Sequence, residues 1–241
     1  MNVGVQEPRP KARRFYLWHA GVAVMAALLL VFVFEYTDLD RAISDFFYDP
    51  ALRHFPLQHD WFLEVVMHHW AKYLIVMIAV GALAGFLASF KVAALRPQRR
   101  VLLFVFLALA LGPATVSTLK LILAKHCPYD LDIYGGFAPY LRLLDAPVPD
   151  VRPGQCFPGG HASGGFALMA FYFVWYRHHP QRAFAVLAAG FLYGFILGAG
   201  RLLQGAHFLS HNLWAAVVVW LVALLLYRLI LHPEHFQVRG A

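Results

Sequence analysis

Charge is what this chain has least of. Only 14% of its 241 residues are Asp, Glu, Lys or Arg, while 61% are hydrophobic. Soluble globular domains carry about a quarter charged residues, so that class is excluded. Acidic residues are scarcer than basic ones, 13 against 20, which leaves a net charge of +7. Cysteine is nearly absent: the two present rule out a disulfide-dense scaffold. No repeat and no low-complexity tract occurs, which excludes solenoids and disordered arrays.

In their place stand six long apolar runs, at residues 15–34, 73–90, 101–119, 162–176, 183–200 and 212–227. None contains Asp, Glu, Lys or Arg. A hydrocarbon layer of about 30 Å needs about 20 helical residues. The reading is an all-α polytopic membrane protein, a bundle of six transmembrane helices. It forms one domain over residues 1–241, with its core at about 70–230 and a basic tail at 1–14. The first run is longer than a signal-peptide core and no small-residue cleavage site follows it, so it reads as an uncleaved anchor.

The positive charge is distributed as a membrane would sort it, not as nucleic acid would require. Arg9, Lys11, Arg13 and Arg14 precede the first run. Lys91, Arg96, Arg99 and Arg100 lie between the second and third, and Arg177 and Arg182 between the fourth and fifth. These alternate connections, with both termini, are assigned to the cytoplasm. The other connections hold most of the acids and face outward, towards the periplasm if the membrane is a bacterial inner membrane. The first outward loop, 36–71, is aromatic (Phe46, Phe47, Phe55, Trp61, Phe62, Trp70). It either lies along the bilayer interface or caps the bundle. The second, 124–160, is long and rich in Pro and Gly, including Pro128, Gly135, Pro147 and Gly154. It contains both cysteines. Cys127 and Cys156 either pair, worth roughly 3–4 kcal/mol in the chain-entropy model, or remain free thiols.

Three stretches place cationic and imidazole groups at the outward ends of apolar runs: Lys120 to Pro128 (KLILAKHCP), Pro158 to His161 (PGGH) and Arg201 to His211 (RLLQGAHFLSH). Such groups are expensive at a membrane and mark function. Together they offer cations to hold phosphoryl oxygens, a nucleophile and an acid, which is what breaking a P–O bond requires.

These stretches resemble the signature of the type 2 phosphatidic acid phosphatase (PAP2) and vanadium haloperoxidase superfamily: K-x6-R-P, then P-S-G-H, then S-R-x5-H-x3-D. All three spacings hold over roughly residues 70–230, and the order matches the membrane-bound branch. The resemblance implies His207 as a nucleophile that forms a phosphohistidine, and His161 as the acid that protonates the leaving group. It implies Lys120, Arg201 and the Gly159 and Gly160 amides as phosphate ligands. Neither metal nor other cofactor is implied. The substrate would be a lipid phosphate: an isoprenyl pyrophosphate, phosphatidylglycerol phosphate, phosphatidic acid or a lipid A phosphate.

Four positions depart from the pattern. Cys127 replaces the motif Arg, Gly159 and Gly200 replace motif Ser residues, and His211 replaces the Asp that holds the nucleophilic imidazole. A neutral His211 could accept a hydrogen bond from the His207 ring. Lys125, His126, Arg142 and Arg152 are the candidates to replace the missing guanidinium, although Lys125 and Arg142 also fit solvated loop charges. Two other functions stay open: a phosphotransferase using the same intermediate, and a non-catalytic lipid-phosphate binder. A zinc site built from His126, Cys127, Cys156, His161, His207 and His211 is disfavoured, because it leaves Lys120 and Arg201 unexplained.

Overall fold

The computed structural model describes residues 10–146 and 148–231. Most of the basic tail, Pro147 and the last ten residues lie outside them. Among the described residues the fold is all-helical, and extended pairing is confined to isolated bridges.

Helix α1 spans Pro10–Tyr36 and α2 Leu39–Asp45. A stretch wound with the wider π spacing, Phe62–Trp70, runs directly into α3, Ala71–Ala88. A 3₁₀ segment, Ala93–Gln98, leads into α4, Arg99–Leu123. Next come α5 (Gly160–Ala167), a 3₁₀ turn at Leu168–Ala170 and α6 (Phe171–Trp175). Helices α7 (Pro180–Leu203) and α8 (Leu209–Ile230) complete the bundle. Pro180 opens α7 at the position where a missing N–H costs nothing.

Five helical segments among the described residues are long and apolar enough to cross a membrane. The chain is an integral membrane protein. The predicted count of six is not reproduced, because the segment 160–175 is shorter than the five and interrupted by its 3₁₀ turn. Position explains this. Ala162, Phe166, Ala167 and Phe173 are fully buried, and the segment packs against α4, α7 and α8. It is the axle of the bundle, with protein around it where the outer helices have lipid.

Small residues let its neighbours come close. A Cβ on Gly165 would fall 2.5 Å from Gly194 Cα, and one on Gly194 would fall 2.4 Å from the Phe166 ring. At the far end of the bundle Arg99 ties α4 to α3. Its Nη2 donates to Ser89 O at 2.6 Å, and its guanidinium lies 4.1 Å from the Phe90 ring centre.

The first outward loop is shorter than expected. Residues 62–70 are helix, so the second span begins well before residue 73. Its two alternative roles divide between its side chains. Phe55 and Leu63 are buried against the bundle, whereas Phe46, Trp61, Phe62 and Trp70 are exposed. Phe55, Leu131, Tyr134, Ala138 and Phe208 form a second, smaller core under this cap. The Tyr134 hydroxyl donates to Asp45 Oδ1 at 2.7 Å, joining the two outward loops.

Candidate active site

Four helix ends meet under the cap. Lys120 lies in the last turn of α4 and His161 is the second residue of α5. Arg201 lies in the last turn of α7, and His207 lies two residues before the first residue of α8, whose third residue is His211. The chain reverses sharply at two of these ends. Ala124 adopts a left-handed φ of 51° and closes α4, its N–H donating to Lys120 O. Gly205 takes φ +65° between Arg201 and His207, and a side chain there would collide with the Phe55 ring at 2.2 Å.

Lys120 lies against the start of α5: a Cβ on Gly160 would sit 3.0 Å from its Nζ. The His161 and His207 ring centres are 6.3 Å apart. The electrostatic neighbours of His207 are Lys120, His211, His161 and Arg201. Lys120, Arg201, His161 and His207 thus form one constellation at one end of the bundle. Burial holds the His207 imidazole well below its ordinary pKa, and the surrounding cations and imidazoles push it further the same way. Both influences favour the neutral ring, which keeps a lone pair on one nitrogen.

The remaining donors are partly engaged. Arg201 Nη1 donates to Gln204 Oε1 at 2.7 Å, and Gln204 Nε2 donates to Gln58 O at 3.2 Å. Arg201 Nε is buried with no hydrogen-bond partner among the described residues. A buried unmatched guanidinium donor is unusual in a folded protein and common where a ligand docks.

Two groups make other contacts than the resemblance leads one to expect. The Gly159 amide donates to His211 O at 2.7 Å, so it is engaged within the protein. The first amides of α5, beginning with Gly160, have no intrahelical acceptor and are the backbone donors this end offers to an anion. His211 does not hold the His207 ring: their centres are 5.9 Å apart, and both Nδ1 atoms are buried without a hydrogen-bond partner among the described residues. The His211 ring bonds instead to the Cys156 backbone and meets Phe157 and Phe208 edge-on. It acts as a strut between the second loop and α8.

None of the four candidates for the missing guanidinium faces the constellation. Lys125 is buried, not solvated, and donates to Arg142 O at 2.6 Å and Asp145 O at 2.8 Å. His126 Nε2 pairs with Arg152 O at 2.7 Å. Arg142 donates to Glu35 O and to Asp38 Oδ1, clasping the end of α1. The Arg152 guanidinium lies 5.1 Å from the Phe137 ring centre. The Cys127 sulfur is bonded to that of Cys156, with Cα atoms 5.1 Å apart. That bond engages both sulfurs, so neither thiolate is available as a zinc ligand while it stands, and the His126 ring is taken up by the Arg152 carbonyl.

The two glycines that replace serine are packed over. A Cβ on Gly200 would lie 3.1 Å from Met67 Cε, and one on Gly159 would lie 2.5 Å from Asn212 Oδ1. Asn212 donates to Gly198 O at 3.0 Å and is buried. Asn212 and Met67 escaped the sequence reading. Only an amide in the first turn of an apolar helix could have signalled the former. Two further groups make themselves felt at Arg201: the Tyr129 phenol and the Glu64 carboxylate. Tyr129 is fixed there by its N–H, which donates to Gly205 O at 2.9 Å.

The PAP2 superfamily profile matches residues 101–233, more than half of the chain and all of the constellation. The chain belongs to the PAP2 superfamily. Membership brings phosphatase chemistry at the level of the family. The fold is similar to the crystal structure of a transmembrane PAP2-type phosphatidylglycerolphosphate phosphatase from Bacillus subtilis. The TM-score is 0.53 and the identity 16%, over 92% of this chain and 98% of that one. At that identity the likeness speaks for the fold. No curated protein sequence matches the chain.

Proposed function

We propose that this PAP2 protein is a metal-independent lipid phosphatase working through a phosphohistidine. The observation that carries the reading is the meeting of Lys120, His161, Arg201 and neutral His207 at four helix ends. Lys120, Arg201 and the first amides of α5 hold the phosphoryl oxygens. A ring nitrogen of His207 attacks phosphorus as the bond to the leaving oxygen breaks, and protonated His161 gives that oxygen its proton. Water then attacks the phosphohistidine. Its proton passes to His161, the P–N bond breaks and inorganic phosphate leaves. The cations and amides stabilise charge on the equatorial oxygens in both steps.

The substrate is a phosphorylated amphiphile that reaches the site from the bilayer. Trp61, Phe62 and Trp70 are exposed beside the cap, where aromatic side chains suit the headgroup layer. Phosphatidylglycerol phosphate, the substrate class of the Bacillus protein, is the first to try, followed by isoprenyl pyrophosphates, phosphatidic acid and lipid A phosphates. The loop charges favour cytoplasmic termini and a site facing the periplasm of a bacterial inner membrane.

The test is phosphate release by detergent-solubilised protein from a panel of these lipids, in EDTA, with His207→Ala alongside. Release by the wild type alone, inhibited by vanadate, is expected. Release that requires added zinc would overturn the metal-free mechanism. Folded wild-type protein that releases no phosphate, yet transfers it to a second lipid, would make the enzyme a phosphotransferase.

A further inference from the structure

Asp40 is a buried carboxylate on the seven-residue helix α2, only 6% exposed. Its partners lie 170 residues along the chain. Its Oδ1 accepts the Ser210 N–H at 2.9 Å and its Oδ2 accepts the Ser210 hydroxyl. The Leu209 backbone donates to it as well. The other acids of α2 and its approach serve the cap: Asp38 pairs with Arg142, and Asp45 accepts from Tyr134. Asp40 turns the opposite way, into the bundle end.

Helix α8 needs such a partner. Its N-cap is Phe208, which has no side-chain acceptor for the free amides of the first turn. Asp40 supplies the acceptor from a distant segment, and its negative charge suits a helix N-terminus. Leu209 and Ser210 also lie two and three residues after His207. On the other side of His207, the N–H groups of Ala206 and His207 both donate to Arg201 O, at 2.9 and 3.3 Å. His207 therefore stands on a short bridge. The Arg201 carbonyl holds one end and the Asp40 carboxylate the other.

We propose that Asp40 is a positioning residue for the nucleophile. By fixing the Leu209–Ser210 turn it sets the distance of the His207 ring from a phosphate held by Lys120 and Arg201. The proposal rests on His207 being the nucleophile. Asp40 touches no substrate, and its effect passes through the backbone.

The experiment compares Asp40→Ala, Asp40→Asn and Ser210→Ala with the wild type. A displacement of about 1 Å at a reacting atom costs on the order of 10²-fold in rate. Asp40→Ala, which leaves both amides without an acceptor, is expected to lose about that much kcat with KM within about threefold. Asp40→Asn keeps one oxygen acceptor and should lose about tenfold, and Ser210→Ala only a few-fold. Vanadate inhibition, which needs His207 as the apical ligand, should weaken in the same order. Inhibition by inorganic phosphate, held by Lys120 and Arg201, should stay unchanged. Full kcat in folded Asp40→Ala overturns the proposal, as does an equal loss of phosphate and vanadate affinity. If Asp40→Ala does not fold, Asp40→Asn and Ser210→Ala decide by the same split between vanadate and phosphate. Wild-type protein that turns over no lipid phosphate removes the nucleophile reading and this proposal with it. Normal wild-type turnover with indifferent variants removes this proposal alone.

Discussion

His19 and His207 are both buried histidines, 6% and 2% exposed, in a chain that is mostly hydrocarbon. Their surroundings differ in kind. The His19 Nδ1 donates to Phe15 O at 2.7 Å, which leaves Nε2 to accept the Tyr172 hydroxyl at 2.8 Å. Its ring lies among Phe15, Tyr172 and Trp220, and the Trp220 indole donates to its carbonyl. No charged side chain is among these contacts, and both nitrogens are matched. His207 has an unmatched Nδ1 and two cations within electrostatic reach. A matched imidazole holds helices together, whereas an unmatched one among cations awaits an anion. Burial alone does not separate the two roles.

The widest separation should come from removing each ring. His207→Ala should cost on the order of 10⁴-fold or more in phosphate release, with little change in melting temperature. His19→Ala should leave turnover within a few-fold while lowering stability by about 2–4 kcal/mol, read by thermal unfolding in detergent. Equal effects on turnover would erase the distinction.

The cations come next. Lys120→Met and Arg201→Gln should each lower kcat/KM by about 10²–10³-fold. Each also removes a positive charge that depresses the His207 pKa, so that pKa should rise. Histidine ring shifts followed by NMR across pH 4–8 would show it, and an unmoved titration would place the cations away from the ring.

The pH dependence of stability separates His207 from Asp40, because their shifts have opposite signs. The His207 pKa is depressed, so its contribution is fully present above its ordinary value of 6.5 and is lost as pH falls below it. Burial raises the Asp40 pKa from 3.8 to about 6, against the pull of its Ser210 and Leu209 hydrogen bonds. Its contribution is present below 3.8 and lost as pH rises through about 6. His207→Gln should therefore make stability less sensitive to acid, and Asp40→Asn should remove the loss between about pH 4 and 6. Melting scans from pH 4 to 8 would register both.

Smaller effects probe the rim. Tyr129→Phe should reduce kcat/KM by about three- to tenfold, about one hydrogen bond's worth, if its phenol shares the phosphate with Arg201. Gly159→Ser restores the family's residue but drives a Cβ into Asn212, so it should cost about 1–2 kcal/mol of stability and raise no activity. A more active Gly159→Ser would mean that Asn212 yields freely.

The positions of Lys120, His161, Arg201 and His207 were legible in the chain because spacing fixes which helix end carries each group. Long uncharged runs are as plain, because hydrocarbon thickness sets their length. The central segment differs from the other runs in a way hydropathy does not report: hydropathy measures how apolar a helix is, not whether lipid or protein surrounds it. The direction of the His211 ring was not legible, because sequence gives adjacency but not ring orientation.

Sequence by itself determined a helical membrane protein of the PAP2 superfamily, since helix length and motif spacing follow from local period, length and residue type. Tertiary structure alone decided which hydrogen bonds are already taken. It engaged the Gly159 amide, turned Lys125 and Arg142 away, joined Cys127 to Cys156, and brought Asp40 to Ser210 across 170 residues. Those outcomes depend on which segments the packed helix ends bring within about 3 Å of one another, the reach of a hydrogen bond.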